Sequence, residues 1–238
     1  MRPVSALHRN SDVEHLFLDL DVIAYDRCFG PNDPTPSLHP EEATAVSRAV
    51  PKRMREYAHA RSCARAALAD LGIPSAVIPT APDRSPVWPE GVTGSITHTV
   101  GYCLAVVAKL ESRRSIGVDA EFVGAVDDDA EAIVLTDLDR HTLRRLGDLD
   151  LGRSLVFAAK AAVYTAPHPI TRRWLGFEDV AAYELHVADP DPATTSGTLL
   201  LEPAAEMQAI RAIDWPVRAR WLHRDGQVTV GVTVTAAR

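Results

Sequence analysis

Three features of the sequence predict an α+β fold. Residues 92–121 read as two β-strands and a third strand ending in carboxylates. Residues 52–71 carry apolar residues at helical spacing, and the chain turns β-rich after Phe177. The chain can form one domain or two small ones, and it can be read as two successive α+β halves, about 1–118 and 119–238, with no strict internal repeat between them. At 238 residues it is long enough to bury a substantial core.

A short apolar strand is expected over 13–23, followed by a loop rich in Pro and Asp over 29–40. Pro40-Glu41-Glu42 marks a helix start, with proline early and acids in the first turn where the helix dipole favours them. Pro51 breaks that helix, and a second runs over 52–71 until Gly72 and Pro74 stop it. Residues 101–110 form an apolar strand, and 115–120 alternate Ile116 and Val118 with Gly117 and Asp119. Asp127-Asp128-Asp129 reads as a solvated acidic turn, since a calcium loop's alternation and closing glutamate are absent. Helices follow over 138–146 and 153–166, the latter ended by Pro167 and Pro169. Strands are expected over 180–187, 197–201, 217–222 and 228–235, and a short helical turn over 206–210. His223-Arg224-Asp225-Gly226 is a hairpin signal between the last two strands.

Asp119 and Glu121 stand at i and i+2, so in an extended strand both side chains leave one face, with Cα atoms roughly 7 Å apart. Two hard oxygen ligands at that spacing can hold one Mg²⁺ that keeps waters and substrate phosphates as its other ligands. A solvated strand end would read the same way. In the 52–71 helix, Arg61 lies within the stripe formed by Tyr57, Ala64, Leu68 and Leu71. A guanidinium facing the core requires an anionic partner, either a structural carboxylate or a ligand. Lys52, Arg53 and Arg55 cluster at the start of the same helix, as a solvated face or as helpers. The small, polar run Gly94-Ser95-Ile96-Thr97-His98 permits close approach of a ligand to the backbone, with His98 readable as an ordinary strand histidine. In the 153–166 helix, Phe157, Lys160 and Tyr164 share a face.

The formal net charge of −7 argues against a general nucleic-acid binder. No apolar run is long enough to span a membrane, and the first residues lack a signal peptide's apolar core. Cys28, Cys63 and Cys103 suggest neither a disulfide framework nor a zinc knuckle. A monomeric, cytoplasmic protein is expected.

Four motifs in order, G-S-I-T-H at 94–98, I-G-V-D-A-E at 116–121, F-A-A-K at 157–160 and R-W-L-G-F-E-D at 173–179, resemble the Sfp-type 4′-phosphopantetheinyl transferases. The actinobacterial enzymes serving polyketide, peptide and fatty-acid carrier proteins are the most similar. The resemblance covers about 41–238. It implies two pseudo-twofold-related halves with the active site between them. It also implies coenzyme A as substrate, Mg²⁺ as cofactor and an acyl or peptidyl carrier protein as partner. By the same resemblance, Asp119 and Glu121 hold the metal. Arg61, Arg84, Thr97, His98 and Lys160 bind coenzyme A phosphates, with Lys160 and His98 stabilising charge during reaction.

The sequence departs from the family pattern in one helix. Where the family reads K-E-A-x-Y-K, this chain has Lys160-Ala161-Ala162-Val163-Tyr164-Thr165. The glutamate replaced by Ala161 is, by resemblance, a third metal-side carboxylate and a candidate general base. The lysine replaced by Thr165 helps hold phosphate. Three readings follow: a transferase with impaired turnover, a coenzyme A- or carrier-binding protein without turnover, or a scaffold reassigned to other chemistry.

Overall fold

The computed structural model describes residues 6–18, 20–110, 114–144, 146–171, 175–188, 194–204 and 212–237. The expected turn over 206–210 and the positions Arg173 and Trp174 lie outside them. The chain forms two compact units, Met1–Leu110 and Glu111–Arg238.

The first unit packs one long helix on a four-stranded antiparallel sheet. Its strands are β1 (His8–Arg9), β2 (Val22–Cys28), β3 (Val92–Thr99) and β4 (Tyr102–Lys109), in the order β1-β2-β4-β3. A short helix α1 (Ser11–Glu14) occupies part of the segment expected as a strand over 13–23. The side chain of Asn10 accepts from Val13 N at 3.1 Å and caps that turn, which delays the strand to Val22. Helix α2 (Pro40–Ala45) starts at its proline, as expected. Helix α3 (Pro51–Asp70) lies over β2 and β4 through Ala60, Cys63, Ala64, Ala67 and Leu68, all buried. These mostly small side chains let the helix sit close to Cys103, Ala105 and Val107 of β4. Gly72 at φ +92° ends α3 in a Schellman motif: Ile73 N donates to Leu68 O at 2.8 Å and Gly72 N to Ala69 O at 3.0 Å.

In the second unit the strands are β5 (Arg114–Phe122), β6 (Val180–Val187), β7 (Thr194–Pro203), β8 (Val217–Arg224) and β9 (Gln227–Thr235). They form an antiparallel sheet in the order β5-β9-β8-β7-β6. A boundary after residue 118 would cut β5 in two. The strand belongs whole to the second unit because β9 pairs with it from Arg114 to Phe122. Asp225 and Gly226 take φ +53° and +72°, the left-handed pair a two-residue hairpin turn needs, so the 223–226 hairpin forms as expected. The acidic run expected as a turn instead starts helix α4 (Asp128–Val134), because Asp127 accepts from Ala130 N at 2.8 Å as its N-cap. Helices α5 (Asp137–Leu143) and α6 (Leu149–Thr165) follow, then a short α7 (His168–Thr171). Leu155, Val156, Ala159 and Val163 of α6 share a core with Leu199, Trp221, Val230 and Val232 of the sheet. Fully burying one such leucine contributes about 1.5–3 kcal/mol. Among the described residues no helix is long and apolar enough to cross a membrane.

Candidate active site

The first unit contains a cavity of about 810 Å³ whose lining includes Arg48, Arg53, Arg61, Arg84 and His98 and, among the described residues, no acidic side chain. Arg61 is its deepest cation. Only 5% of the residue is exposed, yet it makes no salt bridge among the described residues. Its Nε donates to the carbonyl of Ile78 at 3.0 Å and an NH2 nitrogen donates to Oγ1 of Thr80 at 3.1 Å. The guanidinium carbon stands 4.2 Å from the centre of the Tyr57 ring, and the Tyr57 hydroxyl shares Thr80 Oγ1 at 2.8 Å. Neutral groups hold the cation in place, and among the described residues no carboxylate touches it. Burial pulls its pKa below the usual arginine value, partly offset by Tyr57 and Glu42. An anion entering the cavity would supply the missing partner.

The guanidinium of Arg53 meets Nε2 of His98, an arrangement that favours the neutral imidazole. Burial lowers the His98 pKa, and the adjacent Arg53 charge lowers it further. Arg84 sits at φ +70° in a turn held by Arg84 N to Ala81 O at 2.9 Å and by Ser85 N to Asp83 Oδ1 at 3.0 Å. That turn sets Arg84 in the cavity lining.

Thr97 does not join this group. Side chains alternate along β3, so Ile96 and His98 reach the cavity and Thr97 is buried on the opposite face. Arg48 is an addition that the sequence reading leaves out, whereas Arg53, readable there as a helper or as a solvated face, is found in the lining. Their signal is partial: Arg53, Tyr57 and Arg61 recur at i, i+4 and i+8, one face of α3.

Asp119 and Glu121 lie on β5, both half-buried, opposite Val230 and Val228 of β9. They share a strand face with Gly117, and that face meets α6. A Cβ at Gly117 would lie 2.1 Å from the carbonyl oxygen of Ala162 and 2.9 Å from Cβ of Ala166. At the other end of β5, Oγ of Ser154 donates to the carbonyl of Phe122 at 3.3 Å. Helix α6 therefore crosses the strand with Asp119 and Glu121 between its two anchor points, and Ala161 falls within the span. Among the described residues no group of three or more His, Cys, Asp and Glu side chains surrounds a point. Two carboxylates on one strand face still suit a hard divalent cation that takes its other ligands from water and phosphate.

Lys160 has a structural role. Its ammonium is almost fully buried and donates to Asp139 Oδ2 at 2.6 Å, Val134 O at 2.8 Å and Phe177 O at 2.8 Å. Three donors meet three acceptors, which leaves none for phosphate. The helix explains the placement: Lys160 and Ala162 stand roughly 200° apart around its axis, so the residue next to Ala161 points away from β5. Burial lowers the Lys160 pKa, and Asp139 opposes that shift. The face shared by Phe157, Lys160 and Tyr164 is real, but it packs toward the Phe177 turn, with Phe157 and Phe177 ring centres 5.3 Å apart.

A basic cavity in one unit and a paired-carboxylate strand in the other are chemistry suited to a phosphate-bearing ligand and a hard cation. Residues 41–108 match the model of the 4′-phosphopantetheinyl transferase N-terminal domain. The chain is 38% identical over 229 residues to the 4′-phosphopantetheinyl transferase Svp of Streptomyces mobaraensis, covering 94% of this chain and 85% of that one. It is 37% identical over 201 residues to the 4′-phosphopantetheinyl transferase Npt of Nocardia iowensis, covering 82% and 88%. To PptT of Mycobacterium tuberculosis it is 40% identical over 141 residues, covering 59% and 62%. The chain belongs to the Sfp-type 4′-phosphopantetheinyl transferase family.

Proposed function

We propose that this protein binds coenzyme A through the basic cavity and transfers 4′-phosphopantetheine to a serine of an acyl or peptidyl carrier protein, with turnover slowed by the alanine at 161. The observation that carries the reading is Arg61, a buried guanidinium in the cavity lining without a carboxylate of its own. Family membership supports the reaction class.

In this reading Arg61 meets a coenzyme A phosphate with the donors that Ile78 and Thr80 leave over, and Arg53, Arg84 and neutral His98 extend the positive lining. Asp119 and Glu121 would hold Mg²⁺, which when bound offsets charge on the pyrophosphate. The carrier serine oxygen forms a bond to the β-phosphorus, and the bond from that phosphorus to the bridging oxygen breaks, releasing 3′,5′-adenosine bisphosphate. The serine proton must leave. Ala161 carries no group to accept it, so the proton passes to water or to Glu121, and loss of general-base help slows the step by about 10²–10⁴. The protein acts as a cytoplasmic monomer.

A second reading is favoured by Ala161 and Thr165: coenzyme A or carrier protein binds and no transfer follows. Mass spectrometry of an apo carrier protein incubated with coenzyme A, Mg²⁺ and the native chain separates the two. Slow conversion to the holo form is expected. Coenzyme A binding without conversion would establish the second reading, and neither binding nor conversion would overturn both.

A further inference from the structure

Glu42 stands on α2, whose Thr44 and Ala45 line the cavity, and its carboxylate is fully buried. Its Oε2 accepts from Arg65 at 2.6 Å and from the backbone of His39 at 3.1 Å, while Oε1 accepts from the backbone N–H of Ile78 at 3.1 Å. The same residue, Ile78, offers its carbonyl to Nε of Arg61 at 3.0 Å. One peptide segment is thus gripped by a carboxylate on one side and grips the cavity's deepest cation on the other. Thr80, two residues on, takes the second Arg61 bond and the Tyr57 hydroxyl.

The geometry points to Glu42 as a positioning residue for the anion site. It fixes the 78–80 segment, and that segment holds Arg61 with its remaining N–H groups available to a ligand. Arg65 completes the device. It ties Glu42 from the side by a salt bridge and donates to Ser37 O at 2.9 Å, so the nearby carboxylate is committed to Arg65 and not to Arg61. Were Glu42 to pair with Arg61 directly, the cavity would lose the charge that recruits an anion. Two arginines one helical turn apart on α3, Arg61 and Arg65, thereby take opposite roles, one reserved for the ligand and one for the internal carboxylate.

This inference rests on coenzyme A being the cavity's ligand, so its test has one readout that needs no ligand. Calorimetry with coenzyme A on the native chain, Glu42→Ala, Arg61→Ala and the double variant measures the coupling. Glu42→Ala is expected to weaken binding about tenfold in the native background and less than about twofold once Arg61 is alanine, because the loss runs through that guanidinium. In parallel, the Arg61 Nε–H signal in nitrogen-15 NMR of the ligand-free protein should be slow to exchange in the native chain and fast in Glu42→Ala. Glu42→Gln keeps an acceptor for Ile78 N–H, guards against a failure of the alanine variant to fold, and should retain the slow signal. An equal affinity loss in both Arg61 backgrounds, or an unchanged Nε–H signal in Glu42→Ala, would overturn the inference. If the native chain binds no coenzyme A while Glu42→Ala still frees the Nε–H, the positioning role stands and the proposed ligand falls.

Discussion

The ammonium of Lys160 sits 2.6 Å from Oδ2 of Asp139, and both groups are buried. Asp139 also accepts from Thr136 N at 2.7 Å and, through its other oxygen, from Ala182 N at 2.7 Å. One carboxylate therefore joins α5, α6 and β6. Breaking such a pair leaves an uncompensated buried charge, so Asp139→Ala and Lys160→Met should each lower unfolding free energy by about 3–5 kcal/mol. Urea unfolding checks this, with coenzyme A titration of the folded fraction beside it. A Lys160→Met variant that keeps its stability and loses coenzyme A affinity would return Lys160 to the phosphate site.

The strand carboxylates make a different prediction. If Asp119 and Glu121 hold Mg²⁺ together with ligand phosphates, the ion should tighten coenzyme A binding by about 1–3 kcal/mol, and Asp119→Ala should remove that gain. Melting temperature should change little, since the group is half-buried. Calorimetry with and without Mg²⁺ decides the matter, and equal affinities in the native chain would refute the metal assignment.

His59 gives the first unit a pH dependence. Its ring is fully buried and stacks on Phe29 at 4.1 Å between centres. Neither ring nitrogen has a hydrogen-bond partner among the described residues. Burial, with Arg27 and Arg55 adding repulsion and Asp33 opposing, lowers its pKa from 6.5 to about 4. A folded-state pKa below the unfolded one means that the unfolded chain binds more protons across this window. The stabilising contribution of neutral His59 is complete above pH 6.5 and is lost as pH falls from there to about 4, roughly 3 kcal/mol in all. His59→Phe, which keeps the stack, should flatten the stability profile between those values. Chemical unfolding at a series of pH values measures the slope, and an unchanged slope would assign it to other groups.

Much of the fold is legible in the sequence for physical reasons that act locally. Pro40, Pro51, Gly72 and the Asp225-Gly226 pair each impose one backbone geometry, so the helix limits and the last hairpin follow from them. The short helices α1 and α4 are harder to read, because each depends on a single capping side chain, Asn10 or Asp127, in a segment whose pattern also fits a strand or a turn. Arg61, Arg84 and His98 line one cavity, since each is placed by its own element in one unit. Thr97 and Lys160 lie outside that lining for a shared reason. A motif records neighbours in sequence, whereas a strand sends adjacent residues to opposite faces and a helix turns them 100° apart. Asp139 leaves no trace beside Lys160, because the pair spans 21 positions.

The position of Ala161 yields the sharpest expectation. Helix α6 is held against β5 at Ser154 and at the Gly117–Ala162 contact, and Ala161 lies half-buried between them, in the stretch that passes Asp119 and Glu121. Gly117 permits this close approach, so the backbone that would carry a third carboxylate is already seated. Ala161→Glu should therefore add an oxygen ligand and a proton acceptor without displacing the helix, and melting should shift little. Where the loss of base catalysis limits the native chain, the variant should transfer phosphopantetheine faster by up to about 10²–10⁴. Thr165 lies one turn further on, half-buried. Thr165→Lys should add phosphate attraction and lower the coenzyme A concentration needed, acting on KM more than on kcat. The rate of apo-to-holo conversion for native, single and double variants against several carrier proteins is the measurement. If the scaffold serves other chemistry, the added carboxylate gives no transfer with any carrier, and a flat result in all three variants would refute a latent transferase site.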